Sequence, residues 1–149
     1  MADIQVEVDG AIAGGQYAGI AALARTTNGH FLGWMSRRLS PMTNNEAEYQ
    51  AAMLGLQLAQ RLGVDRVTIV CDSEVVVRQM SGLSRVNSLR LKPLHQETCR
   101  LVGQFVQVVF RHVPRTENRL ADALAAEAIA GRLVGMPAQE RSWRGGIWG

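Results

Sequence analysis

Apolar and polar residues alternate from Ile4 to Asp9 (Ile-Gln-Val-Glu-Val-Asp), the two-residue period of a strand whose faces meet different surroundings. Gly14-Gly15 supplies a turn. Residues 17–25 and 30–38 then flank Asn28-Gly29, a pair suited to the left-handed angles of a tight hairpin. The first third thus predicts an antiparallel meander of three strands. From Thr43 to Leu62 the period becomes helical: Thr43 and Glu46 have capping-box spacing, and Gly63 follows as a stop. Helical phase separates two neighbouring acids. Glu46 runs with Gln50, Met53, Gln57 and Arg61 along a polar, solvated stripe, whereas Glu48 runs with the small residues Ala52, Gly55 and Ala59 and points inward. Arg66–Cys71 predicts a strand, and Ser73 can cap a helix running to about Met80. After a loop over 81–87, Pro93 sits early in a helix reaching about Val102, with Gly103 as its stop. Phe105–Arg111 predicts the last strand and about Glu117–Ala130 an Ala-rich helix closed by Gly131.

Strand-helix-strand connections require parallel pairing. The expected architecture is therefore α/β: a mixed five-stranded sheet, three strands antiparallel and two parallel, with helices on both faces. A single domain over 1–131 accounts for the periodic segments. Residues 132–149 lose periodicity; with Arg141, Trp143, Arg144 and Trp148, this tail is expected either to dock its indoles, to contact nucleic acid, or to stay disordered.

Composition narrows the class. A chain of 149 residues that is 47% hydrophobic can bury a core unaided, which excludes collagen-like, disulfide-framework and wholly disordered proteins. Sixteen basic residues against thirteen acidic ones leave only +3, and Lys92 is the single lysine. That charge does not announce a nucleic-acid protein. Cys71 and Cys99 lie outside any CxxC spacing and read as buried or semi-buried thiols. No apolar run is long enough to span a bilayer and Met-Ala-Asp-Ile-Gln lacks the basic and apolar regions of a leader, so a free-standing cytoplasmic monomer without membrane contact is expected.

The chemistry lies in the acids. Asp9 and Asp72 close two of the predicted strands, and in open α/β sheets that edge is where sites form. If those strands are parallel neighbours their acids lie side by side, and Glu48 arrives from the crossover helix. Asp122 occupies the first turns of the last helix, with Asn118 one turn before it. Taken singly, each acid could be a turn former or a helix starter. Gathered without a lysine partner, they would repel one another and resist ionising, which a hard divalent cation resolves.

Four segments together resemble type I ribonuclease H: Val8-Asp9-Gly10-Ala11; Met42-Thr43-Asn44-Asn45-Glu46-Ala47-Glu48-Tyr49; Cys71-Asp72-Ser73; and His112-Val113-Pro114-Arg115 through Asn118-Arg119-Leu120-Ala121-Asp122-Ala123-Leu124-Ala125. The resemblance covers residues 4 to about 130. It implies a metal-dependent endonuclease that cuts the RNA strand of RNA/DNA hybrids, leaving 5′-phosphate and 3′-hydroxyl ends. Asp9, Glu48, Asp72 and Asp122 would hold two Mg²⁺ ions, with Mn²⁺ as a substitute, and His112 would be an accessory residue. By the same resemblance Gly10, Ala11, Asn44, Asn45, Ser73, Glu74, Arg115, Asn118 and Arg119 would line the substrate path, the small residues among them allowing close approach. Double-stranded RNA is a possible second substrate, and a nuclease on other substrates or an idle binding module is the alternative reading.

The chain departs from the family pattern in places. Glu74 stands where many relatives carry Gln, and an acid accepts but does not donate. The glycine-rich loop between His112 and Asp122 is replaced by Val113-Pro114-Arg115-Thr116. The Lys-rich handle of many bacterial members is missing, since residues 81–92 hold only Arg85, Arg90 and Lys92 as bases. The chain thus resembles the compact archaeal-like branch, with weaker binding expected at moderate salt.

Overall fold

The structure, a computed structural model, describes residues 3–13 and 16–131. The predicted Gly14-Gly15 turn and the tail over 132–149 lie outside the described residues. Strands β1 (Ile4–Ile12), β2 (Ala18–Thr26) and β3 (Phe31–Leu39) form the meander, followed by α1 (Asn44–Arg61), β4 (Arg66–Cys71), α2 (Glu74–Met80), α3 (Lys92–Val102), β5 (Gln107–His112) and α4 (Arg119–Ala130). The strands make one sheet in the order β3-β2-β1-β4-β5. β1 is antiparallel to β2 and parallel to β4, and β4 is parallel to β5, which is the expected mixed topology.

Local signals place most boundaries. Thr43 caps α1 through Glu46 N, and Glu46 returns to Thr43 N, completing the capping box. Gly63 and Gly131 follow α1 and α4 with φ of 73° and 70°, left-handed values at which a side chain is strained. Three expectations are corrected. β1 runs three residues past Asp9, because the antiparallel ladder with β2 continues to Ile12 opposite Ala18. β5 starts at Gln107 instead of Phe105, and a 3-10 turn at Arg115–Glu117 precedes α4, so that helix begins at Arg119.

Helices cover both faces. Val6 and Val8 meet α1 at Gly55, where a Cβ would stand 2.6 Å from Val8 Cγ1. On the other face Gly19, paired with Ala11, packs against Ala125 and Ile129 of α4. The main core joins Val6, Val8, Ile20, Met35 and Ile69 to Leu54, Leu56 and Leu58 of α1. Met53, assigned by phase to the polar stripe, is buried in it, because α3 packs over that side of α1. A second cluster of Tyr49, Ala52, Val76 and Leu91 ties α2 and the loop before α3 to α1. Cys71 is buried but Cys99 is exposed, contrary to expectation, since it lies on the outer side of α3. No helix among the described residues is long and apolar enough to cross a membrane.

Candidate active site

The parallel ladder between β1 and β4 ends with Val8 opposite Cys71. The next residues, Asp9 and Asp72, therefore leave the same line of the sheet side by side. Relative to β4, Asp9 does stand at a strand end, although β1 itself continues beside β2. Glu48 comes in from α1, and what lets that helix close on β1 is Gly10. A Cβ there would stand 2.5 Å from Ala47 C and 2.8 Å from Glu48 N, atoms of the helix backbone that no rotamer change can move. The Gly10 N–H donates to Glu48 Oε1 at 2.8 Å and fixes the carboxylate. Gly10 was expected to be small so that substrate could approach; instead the space is occupied by α1.

One carboxylate oxygen from each of Asp9, Glu48 and Asp72 lies within 4.8 Å of the others. Asp9 is 3% exposed and Glu48 5%, so water screens neither. Burial first, then the charges of Glu48, Asp72 and Asp122, push the Asp9 carboxyl up to about 9. Glu48 is raised by burial to about 7, although the Gly10 N–H pulls the other way. Asp122 lies outside the tight triplet, yet its carboxyl is near enough to contribute to raising that of Asp9. It also pairs with Arg115 Nη2 at 3.3 Å, an arrangement exposed on the arginine side.

The donor set fits a hard divalent cation. Asp72 Oδ2 is buried with no hydrogen-bond partner. A carboxylate oxygen stripped of water and given no donor is costly unless a cation sits against it. All the ligand atoms of the triplet are carboxylate oxygens, the ligand type that Mg²⁺ and Mn²⁺ prefer over softer metals.

The remaining predicted residues divide by exposure. Asn44 and Asn45 open α1, exposed and half-buried respectively; Ala11 is half-buried; Glu74, Arg115 and Arg119 are exposed. Ser73 is buried and occupied as the cap of α2, its Oγ accepting from Val76 N at 3.3 Å. His112 is exposed at the end of β5, opposite Cys71 in register and so on the same sheet edge as Asp72. His95 is half-buried with its ring edge-on to Tyr49.

Asn118 is a correction. It was expected to contact substrate, but it is completely buried and its Nδ2 donates to Val8 O at 2.8 Å. Its own carbonyl accepts the Asp122 N–H at 3.1 Å. Asn118 thus ties the residue before Asp9, through its side-chain amide, to the first turn of the helix carrying Asp122, through its backbone carbonyl. Glu46 is likewise engaged rather than simply solvated, since it also pairs with Arg90 at 3.6 Å. Sequence reasoning found the acids but missed the two clamps that hold them, Gly10 on Glu48 and Asn118 on Val8. Both are long-range contacts, separated by 38 and 110 residues, and leave no periodic signal.

Comparison with known proteins agrees with this geometry. A bifunctional protein of Mycobacterium tuberculosis is 34% identical over 128 residues, covering 85% of this chain and 35% of the relative; the chain thus spans about a third of that protein. The crystal structure of ribonuclease H1 from the archaeon Halobacterium salinarum superposes with a TM-score of 0.83 at 29% identity, covering 87% of this chain and 98% of the other. LC11 ribonuclease H1, from compost and solved in complex with an RNA/DNA hybrid, gives a TM-score of 0.82 at 34% identity, covering 87% of this chain and 99% of that one. The model of the family described as reverse transcriptase-like matches residues 7–128, a span that contains all four acids and both clamps. The chain therefore belongs to the reverse transcriptase-like family of ribonuclease H-like proteins.

Proposed function

We propose that the chain is an endonuclease hydrolysing the RNA strand of RNA/DNA hybrids, with two divalent ions, Mg²⁺ or Mn²⁺, held by Asp9, Glu48, Asp72 and Asp122. The observation that carries this reading is the triplet of two buried acids and the half-buried Asp72, whose ligand oxygens lie within 4.8 Å of one another and whose Asp72 Oδ2 has no partner. Held by these four acids, such ions would supply Lewis-acid activation of a water and stabilisation of the departing 3′ oxygen, chemistry that fits 5′-phosphate and 3′-hydroxyl products.

The chain's own residues hold the geometry. β1 and β4 fix Asp9 and Asp72 as neighbours; the Gly10 N–H orients Glu48; Asn118 fixes the start of α4 and with it Asp122. Arg115 neutralises part of the charge on Asp122 and stands exposed where a phosphate could take its second face. Asn44 and Asn45, at the start of α1, offer amides that both donate and accept toward a minor groove, where 2′-hydroxyls distinguish RNA from DNA. Ala11 and Glu74 flank the acids on β1 and α2, Arg119 opens α4, and His112, at the same sheet edge, would assist proton transfer or product release.

A labelled RNA/DNA hybrid, tested beside RNA duplex, DNA duplex and single strands with Mg²⁺, Mn²⁺ or EDTA, decides the matter. Cleavage of the RNA strand in metal and none in EDTA is expected. An intact hybrid in both metals refutes the proposal, and cleavage of RNA duplex at an equal rate reassigns the substrate.

A further inference from the structure

Glu74 is an acid beside the candidate active site that metal ligation does not account for. It is the first residue of α2, exposed, two positions after Asp72. The tight carboxylate triplet consists of Asp9, Glu48 and Asp72, and Glu74 is no part of it. Arg78 stands one helical turn further on, where it could neutralise Glu74, but its Nε donates to Ser84 Oγ at 3.1 Å instead. Among the described residues the Glu74 carboxylate therefore has neither an ion pair nor a hydrogen bond.

A free carboxylate at this place is at odds with a polyanionic substrate unless it meets a donor. Phosphate oxygens only accept and carry like charge, so contact with either backbone is repulsive. The base edges of the minor groove are not all alike. Pairs of adenine with thymine or uracil present only acceptors there, adenine N3 and pyrimidine O2, whereas a G·C pair adds the guanine N2 amine, a donor. The 2′-hydroxyls also donate, but they sit on the sugars next to the phosphates; the guanine amine lies in the middle of the groove, away from both charged strands. Of the exposed residues expected along the substrate path, Arg115 and Arg119 only donate, and Asn44 both donates and accepts. Glu74 is the one that only accepts.

We infer that Glu74 is a specificity-determining residue, whose carboxylate accepts from the N2 amine of a guanine in the minor groove and so favours cleavage next to G·C pairs. The inference rests on the nuclease reading above and deepens it. Chain geometry limits where that guanine stands: two residues extend at most about 7 Å, so the Glu74 Cα lies within that distance of the Asp72 Cα. With the reach of the side chain added, the carboxylate meets a pair roughly one to three steps from the scissile phosphate, at about 3.4 Å per step. Glutamine at this position would remove the selection, because an amide donates to adenine N3 or pyrimidine O2 as readily as it accepts from guanine.

The test is a hybrid pool randomised around one cut site, cleaved in Mg²⁺ and read by sequencing the products. The wild type should cut about tenfold faster where guanine occupies one position within that span, the effect of one hydrogen bond to a charged group. On defined hybrids, inosine in place of that guanine, which lacks the N2 amine, should abolish the advantage, and 2,6-diaminopurine in place of adenine, which adds an amine, should confer it. Glu74→Gln should cut the guanine and inosine hybrids at equal rates. Rates are compared within each protein, so a general loss of activity in the variant leaves the ratio readable. A wild type without a guanine preference in that span, a preference that survives inosine, or one that persists in Glu74→Gln overturns the inference. Hybrid binding by fluorescence anisotropy without divalent metal separates it from the nuclease reading. Wild-type protein that cuts nothing, yet binds the guanine hybrid more tightly than the inosine one while Glu74→Gln does not, retains the groove contact and loses the activity. Cleavage without discrimination removes the groove contact alone, and equal binding without cleavage removes both.

Discussion

Gly10→Ala tests whether the approach of α1 to β1 sets the active-site geometry. The added Cβ would lie 2.5 Å from Ala47 C and 2.8 Å from Glu48 N, where ordinary contact begins at 3.4 Å. Because both are backbone atoms, relief requires the helix start and the strand to separate by about 1 Å. Overpacking of this kind costs ~1–3 kcal/mol, and weakening the Gly10 N–H bond to the Glu48 carboxylate adds ~1–2 kcal/mol. Together about 3 kcal/mol is expected, a fall of about 10 °C in melting temperature for a domain of this size. Displacing Glu48 by about 1 Å relative to Asp9 and Asp72 should also lower kcat by ~10²-fold. Gly55→Ala is the control, since its Cβ would meet side-chain atoms of Val8 and Val6 instead of backbone, and it lies two turns from Glu48. That variant should lose less stability and keep its kcat. Thermal melts and steady-state hybrid cleavage in Mg²⁺ read both quantities; a Gly10→Ala protein with wild-type melting temperature and kcat would refute the reasoning.

Further outcomes follow from the same geometry. Asp72→Asn should abolish Mg²⁺-dependent cleavage, by ~10³-fold or more given the several kcal/mol a metal supplies, while leaving the melting temperature in EDTA equal or higher, because it removes a charge from a crowded, unpartnered position. Without metal, stability should fall as pH rises: the folded-state values of Asp9 (about 9 against 3.8) and Glu48 (about 7 against 4.5) are both raised, so their contribution is full below pH 4 and is lost through these windows. Melting temperatures in EDTA across pH 5–9 check the sign, and Mg²⁺ should flatten the profile; a rising profile in EDTA contradicts it. Asn118→Ala should cost about 2–3 kcal/mol by leaving the Val8 carbonyl buried and unpaired, and should raise the Mg²⁺ concentration needed for half-maximal activity more than Gly55→Ala does, as seen in a metal titration.

The order of elements, the caps and the four acids were legible in the sequence because each depends on residues near one another. Thr43 and Glu46 specify a helix start by spacing alone, Glu48 is turned inward by its phase with Ala52, Gly55 and Ala59, and the run Arg66–Cys71 marks its own strand. Met53, Cys99 and the continuation of β1 were misread because another element decides them: α3 covers one side of α1, Cys99 faces away from it, and β2 extends the ladder past Asp9. Spacing likewise says that Asn118 lies one turn before Asp122, but not that its amide reaches Val8, 110 residues away. What the sequence by itself determined is therefore which acids exist and which elements carry them. Only the tertiary structure decided that three carboxylates, two of them buried, come together and that α1 fills the void at Gly10, because burial and long-range hydrogen bonds arise only when distant segments are packed together.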